Sequence, residues 1–144
     1  MKKIFTAGEF DKKKNQHHII FLCDHASNYI PKSFKSLGLP TKLLNSHISW
    51  DLGAKELCVR VSKALGQSYF HANFSRLLID PNRHLSSSDL IACNSWGELI
   101  PGNINISFEK RKKRIKNYYK CYHQNLVQFI KKKKAQHKKI YLIA

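Results

Sequence analysis

The sequence predicts an α/β protein with a mainly parallel sheet. Two short apolar runs, at 18–23 and 140–144, are continuous rather than alternating, which is typical of strands buried on both faces. Between them, residues 51–65 and 107–134 carry apolar side chains at spacings of three and four, as amphipathic helices do. Strands that alternate with helices indicate βαβ units rather than an all-helical or all-β domain.

The first half of the chain gives each element a local signal. We interpret residues 1–17, which are polar and rich in lysine, as a loose basic lead-in, and residues 18–144 as one domain. Asp51 is placed to cap the helix at 51–65, which Gly66 ends. Further strand segments are predicted at 68–73 and 76–79.

The second half alternates a loop, a helix and a strand. Residues 84–105 have little periodicity and many Ser, Asn and Gly residues, which predicts a long loop of a length that is often functional. Ser107 is placed to cap a helix that runs to about Lys134. The apolar stripe of this helix consists of Ile115, Tyr119, Tyr122, Leu126 and Phe129.

Charge and cysteine usage limit the function classes. The net charge is +17, but 21 of the 26 basic residues are lysines, whereas arginine is better suited to phosphate and base recognition. We therefore expect no specific nucleic-acid partner, and we keep a basic module for nucleic acid or anionic surfaces as the alternative function. Four cysteines without a CxxC pair, and no apolar run that could span a bilayer, favour a reduced, cytoplasmic protein with no membrane partner.

Polar and titratable side chains gather at the predicted strand ends, where open α/β sheets bind their ligands. Histidine with a carboxylate suits metal ligation or acid–base chemistry, and guanidinium groups suit small carboxylates. Two alternatives remain open: a local ion pair between Asp80 and Arg83 in the Asp-Pro-Asn turn, and a simple hydrogen-bonded loop position for His25. The whole set is Asp24, His25, His47, Asp51, Arg76, Asp80, Asn82 and Arg83.

Four other side chains have two readings each. His47, four residues before Asp51, shares a helical face with it or lies on the surface. Cys23 points away from the neighbouring imidazole in an extended chain, so a cysteine nucleophile is disfavoured. Trp96 lines a pocket or anchors its loop, and His123 faces the sheet ends or packs within its helix. No glycine-rich phosphate loop is present, so nucleotide chemistry has no support.

Five sequence blocks carry a family resemblance. They are Cys-Asp-His-Ala-Ser-Asn-Tyr-Ile-Pro (23–31), His-Ile-Ser-Trp-Asp-Leu-Gly-Ala (47–54), Ser-Arg-Leu-Leu-Ile-Asp-Pro-Asn-Arg (75–83), Ile-Pro-Gly-Asn (100–103) and Tyr-His (122–123). In this order they resemble the N-formylglutamate amidohydrolase family. The resemblance implies hydrolysis of the amide bond of N-formyl-L-glutamate, or of another N-acyl amino acid. For N-formyl-L-glutamate the products are formate and glutamate, and the reaction is a late step in histidine breakdown.

The resemblance also implies a site. The family is similar in fold to the zinc carboxypeptidases and aspartoacylase, which implies a three-layer αβα architecture and a divalent metal, zinc above all. His25 then matches a metal ligand and catalytic residue. Asn28 stands where the related enzymes carry an acidic ligand, so Asp24 is assigned as a ligand and Asp51 as a catalytic carboxylate, either of which would replace it. The implied clamp for the substrate carboxylate is Arg76, Asn82 and Arg83.

Family members are nearly twice as long as this chain. After a comparable strand they continue with a His-Ser-Phe-Thr-Pro motif, whose histidine resembles a further metal ligand, whereas the sequence here stops at Ala144. We therefore expect a domain whose C-terminal part is missing or is supplied by a separate chain. Alone, it is expected to have an unsealed sheet edge, poor activity and a tendency to aggregate.

Overall fold

The computed structural model describes residues 3–10 and 16–144, which are built around a four-stranded sheet. Its spatial order is β1 (Phe5–Glu9), β3 (Ser68–Ala72), β2 (His17–Cys23) and β6 (Lys139–Ile143). Strand β2 is parallel to both of its neighbours, whereas β1 runs antiparallel to β3. The predicted α/β fold with a mainly parallel sheet is confirmed.

The helices and turns lie between these strands. The α-helices are α1 (Thr41–Leu44), α2 (Ala54–Ala64), α3 (Phe108–Arg114) and α4 (Cys121–Lys134), and a π-helical turn at Ile115–Lys120 joins the last two. Three 3₁₀ segments occur at Lys32–Gly38, Ser88–Ile91 and Pro101–Asn103. A short antiparallel hairpin consists of β4 (Asn94–Ser95) and β5 (Glu98–Leu99).

Both faces of the sheet are covered by helices. On one face, the ring of Phe70 lies 5.3 Å from that of Tyr122 and 5.7 Å from that of Phe129, both from α4. On the other face, Cys23 of β2 packs with Cys58 of α2. Burial on both faces is what gives a parallel strand its continuous apolar sequence, as in β2.

Two buried polar side chains tie the loop after β3 to helix α3. The Asn103 amide donates to the carbonyls of Leu77 and Ala92 at 2.8 and 2.7 Å. Arg114 donates to the Leu78 carbonyl at 3.0 Å and to Asn103 Oδ1 at 2.6 Å. Burial lowers the pKa of Arg114 to about 10, so its guanidinium stays charged at neutral pH. These bonds give buried carbonyls the donors they need and fix the course of the loop.

The N-terminal region differs from the predicted lead-in. Part of it forms strand β1, which pairs with β3 along its whole length. Glu9 at the end of β1 accepts from Lys132 and Lys133 of α4 at 2.7 and 3.2 Å. The lysine run at 12–14 lies outside the described residues. The strand was missed because five residues with a half-buried, non-repeating pattern carry almost no periodic signal.

The predicted cap of helix α2 is wrong. The helix begins at Ala54 behind Gly53, whose φ is 80°, and no side chain caps it. The carboxylate of Asp51 faces His25 instead. Residues 45–53 are mostly turns, so His47 and Asp51 do not share a helical face.

The strand predicted at 76–79 is also wrong, because this segment forms turns. Ser75 starts them: its carbonyl accepts from the backbone of Leu78 at 3.0 Å, and its hydroxyl accepts from that of Leu77 at 3.2 Å. Leu77, Leu78 and Ile79 are nevertheless buried. Burial alone produced the apolar run that resembled a strand.

The predictions for the C-terminal half hold in part. Ser107 does cap α3, accepting from the backbone of Lys110 at 3.4 Å, and the helix continues to Lys134. The predicted loop at 84–105 contains a 3₁₀ turn and the β4–β5 hairpin. The last strand forms but is not buried, because it is an edge of the described sheet and Leu142 is 49% exposed. No helix in the described part of the chain is long and apolar enough to cross a membrane.

Candidate active site

His25 lies just beyond the carboxyl end of β2, between two carboxylates. Its Nε2 is 2.8 Å from Asp80 Oδ1, and its Nδ1 is 3.3 Å from Asp51 Oδ2. The backbone N–H of Asp51 donates to the His25 carbonyl at 3.0 Å, which joins the two loops. A neutral imidazole has one N–H to donate, so a neutral ring can donate to only one of the two carboxylates.

Asp80 is the most connected of these carboxylates. Besides His25, it accepts from the backbone N–H of Asn82 at 2.8 Å and from Arg76 at 3.2 Å. Burial by itself would raise the pKa of Asp80. The hydrogen bond and charge of His25, followed by the Asn82 N–H and the Arg76 charge, outweigh that effect, and the pKa lies below its ordinary value. Asp80 is therefore ionised at neutral pH.

The two arginines of the predicted clamp both face carboxylates of the chain itself. Arg76 lies 3.6 Å from Asp51 in addition to its contact with Asp80. Arg83 pairs through Nε with Asp89 at 2.9 Å, whereas its separation from Asp80 is 4.0 Å. The local Asp80–Arg83 pair is thus the weaker contact of Arg83. A bound anion would have to share these groups or replace a carboxylate.

Asp24 is held by a hydrogen bond from helix α4. The hydroxyl of Tyr122, which is fully buried, donates to Asp24 Oδ1 at 2.5 Å. Burial, followed by the charge of Asp24, raises the pKa of Tyr122, so the phenol keeps its proton and remains a donor. One oxygen of the predicted metal ligand is therefore already engaged.

The π-helical turn and α4 also support the segment that carries Arg83. Tyr119 donates to the Arg83 carbonyl at 2.8 Å, and His123 Nε2 lies 3.0 Å from the Pro81 carbonyl. The two aromatic rings are 4.4 Å apart. π-Helical turns occur frequently at functional sites. Both readings of His123 therefore hold in part, because it contacts the segment that follows Asp80 and also packs against Tyr119 within its own helical segment.

Two cavities flank the His25–Asp80 pair. The larger, of about 370 Å³, is bounded by His25 and Asp51 on its polar side and by Leu57 and Ile143 among its apolar walls. The smaller, of about 200 Å³, is polar and lies against the arginines. Its main polar lining consists of Arg76, Asp80, Arg83, Asp89, Asn94 and Ser95, with Trp96 beside them.

The described residues do not complete a metal site. Zinc sites in proteins have three or four protein ligands. Within residues 3–10 and 16–144, no three His, Cys, Asp or Glu side chains are arranged to hold a metal ion together. The predicted ligands His25 and Asp24 are therefore not joined by a third such side chain within the described residues.

The cysteine at the site is not activated. Burial, more than its charged neighbours, raises the pKa of Cys23 to about 12, and burial raises that of Cys58 to about 11. A thiol is a nucleophile only as its thiolate. This agrees with the sequence-based argument against a cysteine nucleophile.

The structure brings most of the predicted residues together and adds others. His25, Asp51 and Arg76 meet around Asp80, for which the sequence indicated only Arg83 as a partner. Asn82 contributes its backbone N–H and borders the larger cavity. Asp89 and Tyr119 were missed, since a serine-rich loop and a helical apolar stripe gave no sign of contact with Arg83. His47 packs edge-on against Trp96, with ring centroids 5.2 Å apart.

Comparisons with known proteins agree with this architecture. The sequence model of the N-formylglutamate amidohydrolase family matches residues 17–144. A crystal structure of a gene product from Agrobacterium tumefaciens matches 98% of this chain and 55% of its own, with 27% identity and a TM-score of 0.89. None of the curated proteins compared with the chain matches it.

A second solved structure shows the same fold at lower identity. The crystal structure of N-formylglutamate amidohydrolase from Ralstonia eutropha matches 96% of this chain and 55% of its own, with 18% identity and a TM-score of 0.71. The chain thus spans a little over half the length of both solved structures.

Proposed function

This chain belongs to the N-formylglutamate amidohydrolase family, and we propose that it forms the histidine, carboxylate and arginine part of a metal-dependent hydrolase for N-formyl or other N-acyl amino acids. N-formyl-L-glutamate, cleaved to formate and glutamate, is the favoured substrate. The observation that carries the proposal is the position of His25 between Asp51 and Asp80 beside two arginines. A role in histidine breakdown in the cytoplasm belongs to the same proposal and rests on the family.

The two cavities suggest where each part of the substrate binds. Hydrolysis joins the water oxygen to the formyl carbon, breaks the C–N bond and moves one proton from the water to the departing amine. His25 and Asp51 border the larger cavity, and we assign that proton transfer to them. Asp80 fixes the orientation of the His25 ring. Arg76 and Arg83 border the smaller cavity and would hold the substrate carboxylate, so that binding energy positions the amide.

The charge balance of the site supports a divalent cation. Asp51, Asp80 and Asp89 face the guanidinium groups of Arg76 and Arg83, and Asp24, next to His25 in the chain, adds a fourth carboxylate that accepts from Tyr122. This cluster stands out because the chain has only nine acidic residues and a net charge of +17. An excess of carboxylates would repel an anionic substrate. A bound zinc ion would offset this excess and polarise the formyl oxygen, with the His25 imidazole and the Asp24 carboxylate as donors.

Completing the site is part of the proposal. Because the solved relatives are nearly twice as long, we propose that the remaining ligands and the other part of a zinc-exopeptidase-like domain come from sequence beyond the described sheet, in the same or in a separate polypeptide. Reading the genomic frame downstream of residue 144 tests this directly. A frame without a further histidine motif would contradict it.

The reaction is tested by formate release from N-formyl-L-glutamate. The chain is assayed with and without zinc, alone and coexpressed with the downstream frame. His25→Asn is expected to lower the rate at least about a hundredfold, because general acid–base groups contribute factors of this order. The matched control is His84→Asn, at an exposed histidine whose ring hydrogen-bonds to Ser86 of the same loop at 2.7 Å.

Two results would decide against the proposal. One is formate release by His25→Asn at the rate of the parent protein. The other is the failure of every combination of chain, metal and downstream product to cleave any N-acyl amino acid. The comparisons give no support to the alternative of a basic module for nucleic acid or anionic surfaces.

A further inference from the structure

The smaller cavity is closed on one side by the β4–β5 hairpin and on the other by the arginine segment. Its volume of about 200 Å³ suits a small group, and its lining of charged and amide side chains suits a polar one. Two of its lining residues, Asp89 and Trp96, have no part in the reaction proposed above. Both have features that a purely structural role does not explain.

Asp89 places a carboxylate where a ligand carboxylate would bind. Its Oδ2 lies 2.9 Å from Arg83 Nε, and its Oδ1 accepts from the Ser87 hydroxyl at 2.5 Å. The position of Asp89 is set by its neighbour Leu90, which is fully buried and whose carbonyl accepts from the Asp80 backbone at 2.9 Å. The ion pair is therefore not needed to hold this segment in place.

The Asp89–Arg83 pair is also easily exchanged. The side chains of Arg83 and Asp89 are 45% and 49% exposed, and water screens ion pairs at that exposure so that they contribute little. A ligand carboxylate can use the same guanidinium with two parallel hydrogen bonds, which is the stronger geometry. A ligand carboxylate that binds in this way can therefore displace Asp89 from Arg83.

Trp96 is held in an unfavourable place. It is 78% exposed, and its φ of 53° is in the left-handed region, which costs a bulky residue energy. It precedes Gly97, whose φ is 84°, in the two-residue turn of the hairpin. Asn, Asp and Gly are the usual residues at such a position. The turn presents the indole beside the cavity, where His47 supports it edge-on.

We propose that Asp89 and Trp96 determine which acids the arginine cavity accepts. Asp89 competes within the molecule for Arg83, so that only a ligand whose carboxylate reaches Arg83 displaces it, and Trp96 then covers the apolar stem of that ligand. The ligand class is a short aliphatic dicarboxylate or its N-acyl amino acid. This inference rests on the assignment of Arg83 to substrate binding in the proposed function.

Binding, not turnover, is the test, and glutarate is the probe. In the full chain with Trp50→Phe, Trp96 is the single tryptophan, so its emission reports on the cavity. Saturating glutarate is expected to shift the emission to the blue, and calorimetry gives the Kd. Asp89→Asn is expected to tighten glutarate binding by up to about fivefold, the upper end of the range for a weak exposed ion pair. Trp96→Ala, measured by calorimetry, is expected to weaken it about tenfold.

Matched variants separate these effects from general ones. Glu98→Gln removes an exposed carboxylate of the same hairpin and is expected to leave the Kd unchanged. Phe108→Ala is the control for Trp96→Ala. It removes an aromatic side chain of α3 that is 73% exposed and does not line the smaller cavity. Circular dichroism confirms that every variant is folded.

The outcomes distinguish this inference from the proposed function. Equal Kd values for Asp89→Asn and Glu98→Gln would overturn it, as would no glutarate binding by any variant. Tighter binding by Asp89→Asn together with no cleavage of N-formyl-L-glutamate would support the cavity and count against the reaction. Cleavage together with an unaltered Kd in Asp89→Asn would do the reverse.

Discussion

At the scale of single residues, the interactions of Asp80 with His25 and its other partners set the electrostatics of the site. Asp80 is buried, yet its pKa is lowered, because its bonds to His25, the Asn82 N–H and Arg76 outweigh desolvation. A group whose pKa falls on folding adds stability above its unfolded pKa. That stability is lost as the pH falls through the folded value. The site therefore stabilises the chain at neutral pH, and acid removes this contribution.

Asp80→Asn tests that linkage. The substitution is expected to lower the free energy of unfolding at pH 7, and the difference from the parent protein is expected to shrink below the ordinary pKa of 3.8. Urea unfolding at a series of pH values from 7 to 3 measures it. Glu98→Gln, at an exposed carboxylate, is expected to change the free energy by less than about 0.5 kcal/mol throughout. A difference for Asp80→Asn that stays constant down to pH 3 would contradict the argument.

Thiol reactivity provides a second prediction at this scale. Because burial raises the pKa of Cys23 to about 12 and that of Cys58 to about 11, both are thiols at pH 8 and react slowly. Cys93 is exposed and is expected to be alkylated first by iodoacetamide in the folded chain. Mass spectrometry of the peptides over time measures the order. Labelling of Cys23 as fast as that of Cys93 would contradict its raised pKa and would support a cysteine nucleophile.

At the scale of elements, the Asn103–Arg114 pair connects helix α3 to the loop that carries the site. Asn103→Ala is expected to cost about 3 kcal/mol, because the carbonyls of Leu77 and Ala92 and one bond of Arg114 lose their partner in a buried place. Denaturant unfolding measures the loss. Asn117→Ala, at an exposed position of the π-helical turn, is the matched control and is expected to change stability by less than about 0.5 kcal/mol. Similar losses for the two variants would show that the Asn103–Arg114 hydrogen bonds do not stabilise the fold.

The sequence could predict those elements whose pattern is set by burial on one or both faces. Strand β2, helix α2 and the long helix from Ser107 follow from continuous or periodic apolar residues. The turns at 76–79 could not be recognised, because burial gives a turn and a strand the same apolar letters. β1 was missed since its stability comes from β3 and from Glu9 reaching α4, both remote in sequence. The contact of Asp89 with Arg83 could not be predicted either, because no pattern in the surrounding residues indicates it.

At the scale of the whole molecule, strand β6 is an edge of the described sheet that exposes apolar side chains. Its Tyr141, Leu142 and Ile143 are each about half exposed, and an edge strand offers unpaired backbone groups to other chains. Leu142→Lys is expected to reduce self-association, because a charged edge residue resists strand pairing. Light scattering against concentration measures it. Val127→Lys adds the same charge on α4 at a similar exposure, 47% against 49%, and is expected to have little effect. Equal effects would mean that net charge, not the edge, governs association.

The parallel pairing of β2 with β6 also sets the order of events in folding. His17 pairs with Lys139, so strand β2 gains its second neighbour only after α2, β3 and the helical segment from α3 to α4 have been synthesised. Contacts that span most of a chain close late, since the loop entropy must be lost before the pairing is gained. β3, with its own partner β1, is available much earlier. A nascent chain would therefore present the His25 loop on a strand that still lacks one of its two neighbours.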